Sequence, residues 1–286
     1  MTRFGIPASE RGRVALFAAA FLSMAWGFRL LLFRHAPDIF STPLEDLSYG
    51  WYVPLFSLYV LWTEREKVVA SFGRPSAAGL LLLVPSLLVG YVGARGLQVR
   101  LEIVGFVGIL VSLTLCTFGR RTAEKTLFPF LFLLFCLPLH SFLDVITIHL
   151  RLFAVSSACA VMQGLGVDVV RNGTMLASPG GSFAIDVADP CSGLRSLFAM
   201  AALTAGYAYF TQPTWIRRGI LFALAVPLAV FGNVVRIFSI VAIASSCSPT
   251  FATGFYHDYS GYVVFLVAIF LMVACGGLVT RVADRR

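Results

Sequence analysis

The chain has 286 residues, of which 58% are hydrophobic and 13% are charged. Soluble domains carry roughly 25% charged residues, so this composition indicates a polytopic membrane protein and argues against a soluble enzyme. The net charge of +8 does not indicate nucleic-acid binding in such a chain, because arginine and lysine mark the cytoplasmic loops of membrane proteins. We therefore expect no nucleic-acid partner.

Apolar runs divide the chain into eight predicted transmembrane helices and one further helix. A helix needs about 20 residues to cross a hydrocarbon core of ~30 Å. A ninth apolar stretch, 146–166, carries His149 and Arg151 near its start and is interpreted as an interfacial helix. The expected fold class is an all-α polytopic membrane protein, with one integral membrane domain over 1–286. The predicted spans are 14–33, 47–62, 77–95, 101–118, 126–144, 192–210, 218–246 and 261–280.

The distribution of basic residues gives the expected orientation in the membrane. If 146–166 does not cross, the basic loops 63–75, 119–125 and 211–218 all lie on the same side as the two termini. If it crossed, the basic loop 211–218 and the arginine-rich C-terminal end would face outward, which the positive-inside rule disfavours. We therefore expect a protein of the cytoplasmic (inner) membrane with both termini in the cytoplasm.

The polar segment 167–190 precedes the sixth predicted span and has the pattern of strands and turns. Asn172-Gly173 stands between two β-rich runs, which is the signal of a two-residue type I′ hairpin. Pro179-Gly180-Gly181 then marks another turn. The sequence predicts a small extracytoplasmic β-hairpin that leads the chain to Cys191.

Cys191 lies where this polar, glycine-rich segment meets a long apolar run. A thiolate at the start of a helix is stabilised by the helix dipole and by nearby cations, so Cys191 is a candidate nucleophile. Ser192 is a possible supporting residue, and Arg195, one turn later, is either catalytic or a helix-packing residue. The chain contains no CxxC or HExxH spacing, so neither a metal nor a cofactor is expected.

Arg236, Asn233 and His257 provide further polar groups on the expected outer side. Arg236 lies 18 residues beyond Arg218, roughly 27 Å along the predicted helix and toward the outer leaflet. An arginine in a span usually faces a protein interior or a water-filled cavity, and Asn233 shares its helix face. His257 stands in the outer loop before the last span and can take a proton near neutral pH.

These residues predict an outward-facing catalytic site. The Cys191 thiolate attacks a peptide carbonyl, His257 acts as general base and then acid, and Arg236 stabilises the oxyanion or the thiolate. The product of the attack is a thioester acyl-enzyme. Two alternatives remain open: a membrane acyltransferase that uses a lipid thioester, and a non-enzymatic subunit of an exopolysaccharide export or assembly system.

At these residues the chain resembles the exosortase/archaeosortase family of membrane cysteine transpeptidase-like enzymes. The archaeal branch usually has arginine at the position of His257, so the histidine here makes the chain resemble the bacterial branch. The common bacterial form has a histidine where Ser48-Tyr49-Gly50 stands here, so no role is given to a histidine there. The similar motifs are Cys191-Ser192-Gly193-Leu194-Arg195-Ser196, Asn233-Val234-Val235-Arg236, His257 ahead of Gly261, the stretch 49–55, and Pro227-Leu228-Ala229.

The resemblance implies a substrate class and assigns roles by position. Cys191 is implied to be the nucleophile, with Arg236 and His257 as its partners. The implied substrates are secreted proteins with a three-part C-terminal sorting signal, which consists of a short motif, a hydrophobic span and a basic tail. Cleavage at the motif would be followed by hydrolysis or by transfer to an envelope lipid or glycan. Membrane lipid is also an expected partner.

Overall fold

The computed structural model describes residues 7–41, 47–186, 194–247 and 249–284. The predicted site residues Cys191 and Ser192 lie outside these ranges. Internal contacts group the chain into two compact units, Met1–Leu139 and His140–Arg286. Each unit has its own buried core.

The described part of the first unit consists of helices joined by short loops. A bend of 63° separates its first helix from the stretch Leu31–Ser41, which opens with a π-helical turn at Leu31–His35. The helices are α1 (Arg11–Gly27), α2 (Ala36–Ser41), α3 (Tyr52–Thr63), α4 (Arg65–Ala70), α5 (Ala78–Arg95), α6 (Val99–Phe118) and α7 (Arg120–Phe132).

Small residues allow α5 and α6 to pack backbone against backbone. A Cβ built at Gly105 of α6 would lie 2.5 Å from the Cα of Gly90 on α5, and one built at Gly93 would lie 2.6 Å from the backbone nitrogen of Glu102. Helices in membranes associate through close packing of this kind, because lipid supplies no hydrophobic driving force between them. Close backbone contact through glycine therefore holds α5 against α6.

The second unit combines helices with a small antiparallel sheet of strand order β1-β2-β3. Helix α8 ends in a Schellman motif: Gly166 has a positive φ of 80°, and the N–H of Val167 donates to the carbonyl of Met162 over 3.1 Å. The elements are α8 (His140–Gly164), β1 (Val170–Asn172), β2 (Met175–Ala177), β3 (Ala184–Asp186), α9 (Leu194–Thr211), α10 (Trp215–Ala223), α11 (Ala225–Ser246), α12 (Pro249–Phe251) and α13 (His257–Asp284).

The sheet is fixed to two helices through one buried cluster. Leu176 of β2 and Ile185 of β3 are buried together with Val155 of α8 and with Ile237 and Val241 of α11. Alternation along each strand places one apolar face on these helices. The end of β3 is thereby held beside the helix that carries Arg236.

Several helices are long and apolar enough to cross a membrane. Among the described residues these are Ala78–Arg95, Val99–Phe118, Trp215–Ser246 and Tyr259–Val282, and the bent pair Arg11–Gly27 with Leu31–Ser41 brings the number to at most five. The structure is thus that of a helical membrane protein, and the predicted count of eight spans is not confirmed. The predictions 47–62, 126–144 and 192–210 have no counterpart among these candidates.

Two of those differences have a direct structural cause. The stretch 126–144 is not one helix, because α7 ends at Phe132 and Leu137 is extended at φ −69° and ψ 125°. The residue before a proline avoids the helical region, and Pro138 follows Leu137. Helix α3 has only 12 residues, a length of about 18 Å, which is too short for a span.

The region predicted as 218–246 begins earlier and is interrupted. Its helices run from Trp215 to Ala223 and from Ala225 to Ser246, with a break at Leu224. Proline has no N–H to donate one turn back, and Pro227 stands four residues after Ala223. The predicted helix at 146–166 is present as α8 but begins at His140.

The predicted hairpin is present, with its turn displaced by one residue. Asn172 pairs with Met175, so the two-residue loop is Gly173-Thr174 and not Asn172-Gly173. Gly173 has φ +63° while Thr174 is not among the positive-φ residues, which fits a type II′ turn with glycine first. A third strand, β3, pairs with β2 and extends the hairpin to a sheet.

We expect the substitution Gly105→Leu to separate α5 from α6, because its side chain meets the backbone of Gly90. Overpacking of this kind lowers the free energy of unfolding by about 2 kcal/mol. Thermal unfolding of the purified protein in detergent measures the effect. Gly277→Leu is the matched control, since a Cβ at Gly277 has open space around it. Equal stability of the two variants would contradict this packing.

Candidate active site

Three helices of the second unit line a small, partly open cavity of about 40 Å³, whose mostly apolar wall carries three polar side chains. Its walls include Ser196 from α9, Asn233 and Arg236 from α11, and Gly261 and Phe265 from α13. The volume is on the scale of one or two water molecules. The cavity can therefore accommodate a single small polar group beside the arginine, and not a whole peptide.

Arg236 is held against the first turn of α13. Its Nε–H donates a hydrogen bond to the Oγ of Ser260 over 3.2 Å, and Ser260 is only 1% exposed. The next residue, Gly261, lies beside the guanidinium: a Cβ there would be in ordinary van der Waals contact with Arg236 Cζ, at 3.6 Å. The hydrogen bond to a buried hydroxyl fixes one edge of the guanidinium plane.

The backbone of α13 relates Arg236 to His257. The chain bends at Gly254, with φ −95° and ψ −107°, and α13 then begins at His257. Ser260 is three residues later, in the same first helical turn. The side chain of His257 lies outside what the structure describes.

Asn233 occupies the cavity wall one turn before Arg236. It is 8% exposed, and both side chains line the same space, as their spacing on one helix face requires. A carboxamide offers two donors and an acceptor. Asn233 therefore adds neutral hydrogen-bonding capacity beside the cation.

The structure describes the chain on both sides of Cys191. Strand β3 ends at Asp186 and α9 begins at Leu194, so at most three peptide units separate Cys191 from α9. Ser196, in the first turn of α9, lines the cavity with Arg236. The side chain of Arg195 is outside the described part. Cys191 thus precedes, by three residues, the helix whose first turn contributes Ser196 to the cavity wall.

The other cysteines have surroundings that differ from one another. Cys116, Cys136, Cys159, Cys247 and Cys275 are all free thiols. Burial raises the pKa of the Cys136 thiol to about 12, which makes it a poor nucleophile. Cys247, at the end of α11, is exposed. Within the described ranges, no group of three or more His, Cys, Asp or Glu side chains is placed to hold a metal ion.

Ser260 is a site residue for which the sequence alone predicts no role. It lies 24 residues from Arg236 in sequence, and its function as an acceptor depends on how α11 packs on α13. The available signal is its position directly before Gly261, at the edge of a motif. Ser196, the last residue of the motif that begins at Cys191, is likewise part of the cavity wall.

The structure has apolar helices of spanning length, and it gathers arginine, asparagine and serine side chains between α9, α11 and α13. These two features define a polytopic membrane protein with an internal polar site. The chain matches the family described as transmembrane exosortase over residues 42–274. It belongs to that family. No curated protein and no solved structure matches the chain.

We expect Ser260→Ala to loosen the contact between α11 and α13, because the Nε–H of Arg236 loses a buried acceptor. Leaving such a group without its partner costs about 1–2 kcal/mol. The measurement is the thermal unfolding midpoint in detergent. Ser245→Ala is the matched control, because that hydroxyl is exposed and bonds only to the carbonyl of Ala242 in its own helix. An unfolding midpoint that stays the same in both variants would show that the Ser260 hydroxyl does not stabilise the contact between α11 and α13.

Proposed function

We propose that this chain is a membrane-embedded cysteine endopeptidase or transpeptidase that cleaves the C-terminal sorting signal of secreted proteins. The observation that carries the proposal is the placement of Arg236 in a cavity shared with α9 and the first turn of α13. Cys191 precedes α9 and His257 opens α13. One cation is therefore next to the two segments that carry the candidate nucleophile and base.

Arg236 has the chemistry required of an oxyanion-stabilising group. A guanidinium stays protonated even when it is partly desolvated, and its planar fork presents several donors. Preorganised donors in a water-poor site are effective at stabilising charge that develops in a transition state. Ser260 accepts from one of these donors and so holds the fork in a defined orientation.

The proposed reaction has two stages. In the first, His257 takes the proton of the Cys191 thiol, the sulfur forms a bond to the carbonyl carbon of the substrate, and Arg236 stabilises the negative carbonyl oxygen. His257 then gives the proton to the leaving amine as the peptide C–N bond breaks, which leaves a thioester. In the second stage, water or an envelope lipid or glycan nucleophile attacks the thioester and releases the thiol.

The three-part signal suits an enzyme that works at the outer surface. A hydrophobic span followed by a basic tail inserts with the tail in the cytoplasm. The short motif before the span is then left outside the membrane. The expected topology of this chain places Cys191 and His257 on that same outer side, in the cytoplasmic membrane, with both termini of the enzyme in the cytoplasm.

We expect each of the three substitutions Cys191→Ala, Arg236→Gln and His257→Ala to leave a precursor uncut. The test co-expresses the enzyme with a secreted protein of the source organism that ends in such a three-part signal, and follows precursor size by immunoblot. Cys191→Ala abolishes cleavage. Loss of the oxyanion donor Arg236 lowers the rate by about 100-fold or more, and loss of the base His257 by about 100- to 10,000-fold.

Matched controls are available for each residue type. Cys247→Ala removes an exposed thiol, Arg217→Gln a half-buried arginine outside the cavity, and His149→Gln an exposed histidine. All three variants are expected to cleave normally. Full processing by Cys191→Ala would disprove the peptidase. If Cys191→Ala behaved as wild type while Arg236→Glu abolished polysaccharide export, the non-enzymatic assembly subunit would be correct instead. Normal precursor cutting together with a lost lipid-linked product would indicate the acyltransferase.

A further inference from the structure

The first unit contains an apolar crevice with a volume of about 660 Å³. It lies between the bent segment of α1 and α2 on one side and helices α3, α4, α6 and α7 on the other. Representative wall residues are Phe17, Leu31, Leu58, Val69, Ile103 and Phe130. The volume is in the range of pockets that hold small organic ligands.

The walls of this apolar crevice offer almost no hydrogen-bonding groups to water. The hydroxyls of the lining residues Thr114, Thr122 and Thr126 already donate to backbone carbonyls, at 2.9, 2.9 and 3.1 Å. Among the described residues that line it, the Oγ of Ser57 is the one buried side-chain oxygen without a partner. An ordered water needs two to four polar partners. The crevice is therefore suited to hydrocarbon.

The crevice also opens toward the side of the helical unit. Two of its wall residues, Leu32 on the bent segment and Leu58 on α3, are 37% and 62% exposed. In a membrane protein, apolar side chains exposed in this way face lipid tails. Hydrocarbon from the surrounding bilayer can thus enter the crevice without crossing a polar barrier.

One end of the crevice is rich in cations. The wall residues Val14, Val69 and Thr122 belong to segments in which basic residues outnumber acidic ones by eight to four. Arg13 ties this end together, because its guanidinium donates to the carbonyls of Gly73 and Thr117. The eight are Arg11, Arg13, Arg65, Lys67, Arg74, Arg120, Arg121 and Lys125, and the four are Glu10, Glu64, Glu66 and Glu124.

We propose that the apolar crevice binds an acyl chain of an anionic glycerophospholipid, whose phosphate lies at the basic end. Its walls satisfy their own polar groups and so accept hydrocarbon, and the excess of cations favours a negative headgroup over a zwitterionic one. All of these residues belong to the unit Met1–Leu139. The lipid site is therefore independent of the reaction proposed for Cys191.

Native mass spectrometry of the full-length protein, purified in a mild detergent, tests the proposal. We expect the wild type to retain phosphatidylglycerol and Ser57→Phe to lose it, because the new ring fills the crevice. Leu81→Phe adds the same ring on an exposed position of α5, 80% exposed, and is expected to retain the lipid. Ser57→Ala is expected to retain it too, since a hydrocarbon chain does not need the hydroxyl.

Exchange against vesicles of defined composition identifies the lipid. Phosphatidylglycerol is expected to bind in preference to phosphatidylethanolamine, and Arg121→Glu to reduce that preference without loss of acyl-chain binding. Equal retention of the lipid by wild type and Ser57→Phe would overturn the site. Loss of the lipid in Ser57→Ala would also overturn it, because the Ser57 hydroxyl would then be binding a polar group in the crevice. Preferential binding of a polyprenyl phosphate, or no headgroup preference, would overturn the choice of an anionic glycerophospholipid. Arg121→Glu keeps the test valid if Ser57→Phe does not fold.

Discussion

The interior placement of an arginine is the constraint on which the rest of the second unit depends. A charged guanidinium within a membrane helix costs up to about 3 kcal/mol on insertion scales, so it requires polar partners inside the protein. The protein supplies those partners with the hydroxyl of Ser260 and with a cavity lined by Asn233 and Ser196. Gly261 packs directly beside the guanidinium. The stability of the second unit and the proposed reaction therefore both require α9, α11 and α13 to pack around Arg236.

The small sheet fulfils a related positioning task. Its apolar face is buried on α8 and α11 through Leu176 and Ile185, so the strand that precedes the Cys191 segment is attached to the helix that carries Arg236. On the other side of that segment, α9 contributes Ser196 to the cavity. The first unit packs two helices through glycine and has an apolar crevice, whereas the second gathers Ser196, Asn233 and Arg236 around one small cavity.

Hydropathy and spacing predicted the long apolar helices α5, α6 and α13 and the shared face of Asn233 and Arg236, since these follow from composition and helical period. Other features depend on the backbone conformation at single residues, which the average hydropathy of a stretch does not reveal. Pro138 breaks a continuous apolar run, and the hairpin turn at Gly173-Thr174 is selected by strand register. The role of Ser260 depends on packing between helices distant in sequence, and no local pattern specifies it.

The central proposal is that Cys191 is an outward-facing nucleophile activated by Arg236 and His257. The most direct measurement is its rate of labelling by a membrane-impermeant alkylating reagent in intact cells, read by mass spectrometry in a Cys247→Ser background that removes the exposed thiol. The account predicts rapid labelling that slows in both Arg236→Ala and His257→Ala. Equal rates in all three proteins, or no labelling of Cys191 at all, would contradict it.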